Sequence, residues 1–330
     1  MWPASLPRSV HRGVCVVATV GLLTGCAPGA FTTQSQRIGS DDGTDSCRRE
    51  LVALDSTGDF FAEDIIKGAA LGALGGALIG GLTGGGRGAL IGAAAGGLVG
   101  AAGGYFSALQ QQAQNQAQLV GRMQSDLQAE GVQLDRTQAA WSQLADCRFY
   151  QAQAIRNAYA TGRMPKEVAV QQMAIVRQRA QRDLALARLV DQKINARGQQ
   201  FDLAAAQVSP GYKTYVEETK PKPRPVVTRA AVPLRLQPAE NSPAIAQAKP
   251  RERVTVQSTS GNYALVETPS GTRGYAPVSS LGLAASYMPP AGGDEVRSLA
   301  GSNANRRDSF AQSVSVVESA QAGAFEIAGS

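Results

Sequence analysis

Histidine is nearly absent from this chain: His11 is the only one in 330 residues. Without an imidazole the familiar nucleophile–base pairs cannot be assembled, and no Cys/His metal cluster can form. Aromatic residues make up 5 % of the chain, too few to fill one large globular core. No Gly-Lys-Ser/Thr follows any of the glycines, which removes a phosphate loop. The formal charge of +6 is diffuse, which argues against nucleic acid as a partner. These absences point away from an enzyme, with carboxylates as the only remaining catalytic groups, and no cofactor or metal is expected.

What the chain has instead is specialised segments. Arg8 and Arg12 precede a short apolar run, Gly13 to Leu23, followed by Leu23-Thr24-Gly25-Cys26. An apolar run this short behind a basic start reads as an export signal, not a membrane span. The four residues ending at Cys26 resemble the lipobox of bacterial lipoproteins. The resemblance implies cleavage before Cys26 and lipidation of that residue. Ala27 and Pro28 stand where an Asp would mark inner-membrane retention in such proteins, so the resemblance leans toward an outer-membrane lipoprotein facing the periplasm. Cleavage would remove His11 and Cys15 and lower the charge to +4, because Arg8 and Arg12 leave and no acid does.

With Cys26 lipidated, Cys47 and Cys147 remain as an even pair in an oxidising compartment, and a disulfide between them is the expectation. Continuous parallel helices would place the two about 30 and 64 Å from the glycine-rich tract, at 1.5 Å per residue. Three ways out stay open. The long helix folds back, the segment around Ser56-Thr57-Gly58 is extended, or the bond joins two chains. An intramolecular bond with a bend is the favoured reading.

Glycine is concentrated in one tract. Gly68, Gly72, Gly76, Gly80, Gly84, Gly88, Gly92, Gly96, Gly100 and Gly104 recur every four residues. Glycine costs a helix about 0.8–1 kcal/mol against alanine in water. A period of four nevertheless puts all of these glycines on one helix face. Thr83-Gly84-Gly85-Gly86-Arg87 breaks the tract and carries its only charge. The pattern predicts two helices, about 67–82 and 88–105, joined by a tight turn. Each is about 24–27 Å long, slightly short of a hydrocarbon core of about 30 Å. Asp59 is the expected N-cap of the first arm, after a break at Asp55-Ser56-Thr57-Gly58. The tract resembles the glycine-zipper domain of small bacterial surface-antigen lipoproteins. That resemblance implies closely packed, membrane-inserted helices that oligomerise. In lipid, helix association depends on close backbone approach, which small residues permit.

From Tyr105 the composition turns to Gln and Ala. Val120, Leu127, Leu134 and Trp141 lie seven apart, with Met123 and Leu144 three residues on from Val120 and Trp141. This is a heptad seam, interrupted by Glu130 and Thr137, with Gly121 and Gly131 as places to bend. Gly162 and Pro165 mark a turn. A second helix follows, buried along Met173, Val176, Ala180, Leu184, Ala187, Val190, Ile194 and Phe201. The pair reads as an antiparallel hairpin. Lys220-Pro221-Lys222-Pro223-Arg224-Pro225 then reads as a stiff extended linker.

Residues 226–285 switch to short alternating strands between turns, the pattern of a small barrel. Val227-Thr228, Val232-Pro233-Leu234-Arg235, Val254-Thr255-Val256, Asn262-Tyr263-Ala264-Leu265-Val266 and Gly271-Thr272-Arg273-Gly274-Tyr275-Ala276 resemble the bacterial SH3 domain family. That family often implies binding to wall peptide or polysaccharide. Tyr263 and Tyr275 stand at its two tryptophan positions and are the candidate binding surface, with barrel core as the alternative role.

The expected fold is thus multi-segment and mainly α. A glycine-zipper helical hairpin and an antiparallel coiled-coil hairpin precede a small all-β SH3-like barrel. The expected segments are a lipoprotein signal peptide (1–25), a flexible tether (26–45), a short helix and membrane hairpin (46–106), the helical hairpin (107–207), a Pro/Lys linker (208–225), the barrel (226–285) and a disordered tail (286–330). The function read from this is a non-enzymatic envelope lipoprotein, a tether or scaffold with a binding module. Its partners would be the membrane, further copies of itself through the zipper, and a cell-wall or protein partner of the barrel. The alternatives are an oligomeric pore or secretion-system component, or an accessory subunit of a cell-wall hydrolase.

Overall fold

A computed structural model describes residues 33–61, 104–283 and 294–327. Cys26, the signal segment and the glycines from Gly68 to Gly100 lie outside the described residues. Of the stripe only Gly104 is described, buried at the start of a helix.

The helices in chain order are α1 (Gln34–Ile38), α2 (48–61), α3 (104–112), α4 (Gln116–Ala160), α5 (Lys166–Val208), α6 (Tyr212–Thr219) and α7 (Glu295–Ala324). Among the described residues no helix is long and apolar enough to cross a membrane.

The heptad seam of α4 is continuous. Met123, Leu127, Leu134, Trp141 and Leu144 are buried, and Glu130 and Thr137, expected as interruptions, are fully buried within the same seam. Thr137 satisfies its hydroxyl on the Gln133 carbonyl at 2.7 Å, and Glu130 accepts from Arg197 of α5 at 2.6 Å. The turn between α4 and α5 uses Gly162 at φ +69° and Pro165 as the N-terminal boundary of α5. All eight residues expected on the inner side of α5 are buried.

The structure corrects four expectations. The tail is not disordered: α7 is 30 residues long and packs along both α4 and α5, making a bundle of what reads as a hairpin. Asp294 caps it by accepting from the Arg297 N–H at 3.0 Å. The helix has a heptad, namely Val296, Ala300, Asn303, Arg307, Phe310, Val314, Val317, Gln321 and Ala324. Its polar members are seated: Asn303 donates to the Leu127 carbonyl, Arg307 to Asp202, and Gln321 to the Ala180 carbonyl.

The expected tether is ordered from Thr33 onward. Arg37 grips Asp55 with two nitrogens at 2.7 and 2.8 Å, and Arg48 holds the carbonyls of Ile38 and Gly39. Asp55 to Gly58 is no break but part of α2, in which Gly58 packs so closely on Val190 that a Cβ would sit 3.0 Å from it. The linker region contains α6, entered through Gly211 at φ +85°.

A six-stranded antiparallel sheet follows α6: β1 (Arg224–Val227), β2 (Val232–Arg235), β3 (Ala244–Ala248), β4 (Arg253–Ser260), β5 (Tyr263–Glu267) and β6 (Arg273–Pro277). Their spatial order is β1-β4-β5-β6-β2-β3. Irregular registers at Leu234/Arg235 and Val256/Ser258 bend the sheet around its own core of Val232, Leu234, Val254, Val256, Ala264 and Val266. Gly274 permits the crossing of β6 and β2, since a Cβ there would meet Leu234 Cβ at 2.7 Å. A 3-10 turn, Val278–Leu281, closes the barrel.

Candidate functional site

The alternation of the strands gives the barrel two buried faces. Ala264, Val266 and Ala276 point into the barrel. Their neighbours Leu265 and Tyr275, together with Leu236, belong instead to the same apolar cluster as Trp141, Phe310 and Val314 of the helices. The barrel is therefore docked on α4 and α7 through an apolar face. Polar contacts ring it: Ser142 donates to Gln237 Oε1 at 3.0 Å, and Tyr150 to the Asn241 carbonyl at 2.8 Å. Ser258 donates to Gln312 Oε1 at 2.7 Å, and the Arg273 N–H to Ser319 at 3.0 Å.

This docking decides the place of the two tyrosines. Tyr275 is 5 % exposed and Tyr263 is half-buried beside the same cluster. Neither forms an open aromatic platform. Burial pushes the Tyr275 hydroxyl up to about 12, and no described residue shares a hydrogen bond with it. Tyr275 lines a cleft of about 640 Å³ between barrel and bundle, with Pro221 and Pro238 as stiff walls. The Ser258–Gly261 end of the β4–β5 hairpin and the α7 side chains Asn305, Ser309 and Gln312 supply hydroxyl and amide groups. Glu218 and Asp308 are the charged groups of the lining, and no lysine or arginine joins them. The cleft suits a neutral or cationic ligand with many hydrogen-bonding groups.

Sequence reasoning finds Tyr275 but misses Leu236, Leu265 and the α7 wall. The run Tyr263-Ala264-Leu265-Val266 carries the signal, since four apolar residues in a row mark a strand covered on both faces.

A second locus is the staple of the N-terminal segment. Cys47 and Cys147 are bonded, with Cα atoms 6.0 Å apart. The chain folds back at 113–115. There α3 ends, and Asn115 starts α4 by accepting from the Gln118 N–H at 2.9 Å. Tyr105 then bonds Asp126 at 2.9 Å, so α3 runs back along α4. The bend thus lies in the Gln-rich stretch and not at Gly121 or Gly131, the expected places. Beside the disulfide, buried Arg148 reaches both Asp45 (2.5 and 2.8 Å) and Asp183 (2.6 Å). Burial alone would lower the Arg148 pKa, but the two carboxylates raise it. Arg179 adds bonds to Thr44, and Gln151 to Ser46.

A third locus surrounds the ends of the glycine tract. The Arg197 guanidinium lies 4.7 Å over the Phe60 ring and 5.3 Å over the Phe201 ring. Phe201 in turn stacks on Tyr105 at 4.6 Å. The last described residues before the tract and the first after it are therefore linked through Arg197 and Phe201. No cluster of three metal-ligating residues occurs among the described residues.

No curated protein and no solved structure matches the chain. Residues 56–108 match the family model of the YMGG-like Gly-zipper, and residues 230–282 match that of the bacterial SH3 domain. Both are non-catalytic domain families, and the two matched stretches suggest a cell-envelope protein with a binding module.

Proposed function

We propose that the protein is a non-enzymatic envelope lipoprotein, held at the outer membrane by lipid on Cys26 and by a hairpin of the Gly68–Gly104 stripe. The helical bundle is its periplasmic scaffold, and the glycine faces pair within the hairpin or with other copies. The barrel presents a binding cleft in a fixed orientation, because it is seated on the bundle instead of swinging on a linker. The observation that carries the reading is the linking of Phe60 and Tyr105 through Arg197 and Phe201. A segment that leaves and re-enters the bundle at one place is what a hairpin requires. The ligand would be a cell-wall or protein group taking hydrogen bonds from the Tyr275 hydroxyl and the α7 amides.

Membrane fractionation tests it with the intact chain, Cys26→Ala, a 68–104 deletion and both together. Each single change should leave protein in the membrane, and the combination should release it. A soluble Cys26→Ala protein with its tract intact would overturn the hairpin.

A further inference from the structure

The end of the barrel remote from the bundle carries a dense group of cations that the envelope-scaffold reading does not use. Thr228, 1 % exposed, ties two turns together there. Its N–H donates to the Glu252 carbonyl at 3.0 Å and its hydroxyl to the Lys249 carbonyl at 2.5 Å. Its own carbonyl accepts from the Arg251 N–H at 2.9 Å. The knot brings Arg229, from the turn after β1, beside Lys249, Arg251 and Arg253, from the turn into β4. Register adds Arg224, since β1 pairs Arg224 with Val256 and Val227 with Arg253. Lys220 and Lys222 precede Arg224 and carry the row of cations back along the same edge toward the bundle.

All of these side chains are exposed, and none enters an ion pair among the described residues. One acid sits in the turn, Glu252, which accepts from the Lys249 N–H at 2.6 Å, and the cations outnumber it. Arg251 stands at φ +61°, a backbone conformation that favours glycine. Arg229, Lys249, Arg251 and Arg253 lie well away from the bundle. Along β4, Ser258 bonds α7 at one end, and Arg253 is five residues away, about 17 Å at 3.3 Å per residue.

We infer that this edge is a docking surface for a polyanionic polymer, a chain with repeated carboxylate or phosphate groups. The cations are strung along an open edge from Lys220 to Arg253, roughly 20 Å in extended backbone, instead of converging on one point. That spacing fits a repeating chain and not a single small anion. Val227 is the one large apolar residue exposed on the edge, and no aromatic joins it. The surface therefore lacks the wedge of a membrane-inserting face and the stacking platform of a single-stranded nucleic-acid site. The edge and the junction cleft meet near Lys220 but differ in chemistry. One takes a polyanion by charge, and the other takes a neutral or cationic group by hydrogen bonds.

The test uses the full chain in a neutral detergent, with fluorescein-labelled dextran sulfate as probe and anisotropy as readout. The edge variant combines Arg224→Gln, Lys249→Gln, Arg251→Asn and Arg253→Gln. A control removes the same charge from exposed bundle positions by Arg136→Gln, Arg163→Gln, Arg182→Gln and Lys213→Gln. At about 0.15 M salt the edge variant should bind the probe roughly tenfold or more weaker, with a flatter salt dependence, and the control less than about threefold weaker. Inorganic phosphate at millimolar concentration should not compete. Equal losses in both variants would mean diffuse charge and overturn the proposal. So would competition by phosphate, or binding to anionic vesicles without binding to dextran sulfate. Membrane fractionation is unaffected by the edge variant, so failure here is separable from failure of the anchoring reading.

Discussion

Replacing Gly198 by alanine probes the seat of α7 on the bundle. In isolation the change favours the helix, by about 0.8–1 kcal/mol. In the folded chain a Cβ at 198 would fall under 3 Å from three atoms of Arg307. Arg307 is pinned, because its guanidinium donates to both oxygens of Asp202 at 2.8 and 2.7 Å. Making room costs those charge-assisted bonds, worth about 1.5–3 kcal/mol, or an overpacking strain of about 1–3 kcal/mol. The net expectation is a loss of roughly 1–2 kcal/mol. In an Arg307→Ala background the obstruction is gone and the helix gain remains, so the same glycine change should stabilise by up to about 1 kcal/mol. The sign reversal, a coupling of about 2–3 kcal/mol, is read from a double-mutant cycle in urea followed by circular dichroism. If Gly198→Ala stabilises equally in both backgrounds, α7 does not cross α5 at this point.

Other consequences are open to measurement. Cys47→Ser opens a covalent loop with a sequence separation of 100, so the urea midpoint should fall by an amount equivalent to about 4–5 kcal/mol. A loss under 1 kcal/mol would mean that Arg148 and its carboxylates hold the segment unaided. Burial pushes the Asp146 carboxyl up to about 6 in the folded chain, against about 3.9 unfolded. Its ionised form therefore weakens the fold above pH 6, and that cost disappears as the pH falls through 6 toward 4. Asp146→Asn should stabilise by about 1–2 kcal/mol at pH 7.5, after discounting for partial exposure, and by almost nothing at pH 4. A pH-independent effect would refute the assignment. Tyr275→Phe removes a hydroxyl that no described residue uses, so stability should stay within about 0.5 kcal/mol while ligand capture in the junction cleft weakens.

How much of this was legible in the sequence depended on whether a segment's partners lie nearby along the chain. The α4 heptad, the Gly162–Pro165 turn and the inner side of α5 could be read because a helix face repeats locally. The barrel strands could be read from alternation, yet their second buried face could not, because the surface covering Leu265 and Tyr275 comes from helices far away in sequence. The α7 helix shows the same limit. Its heptad is present, but Asn303, Arg307 and Gln321 occupy core positions, and polar residues there look like solvated tail until Leu127, Asp202 and Ala180 are seen across from them. At 113–115 the composition favoured helix, and packing of Tyr105 on Phe201 and Asp126 favoured the bend. Composition is a weak prior beside such contacts.

The position of the disulfide has a mechanical meaning. Tension applied to the chain before Cys47 enters the bundle directly at Cys147 and, through Asp45, at Arg148. From there it continues along α4 toward α5. Residues 48–146, which include α2, α3 and most of α4, lie outside that covalent path and take load only through non-covalent contacts such as Arg37 on Asp55. A pull between the N-terminal segment and the barrel would thus be borne covalently by the staple, by the last turns of α4 and by α5.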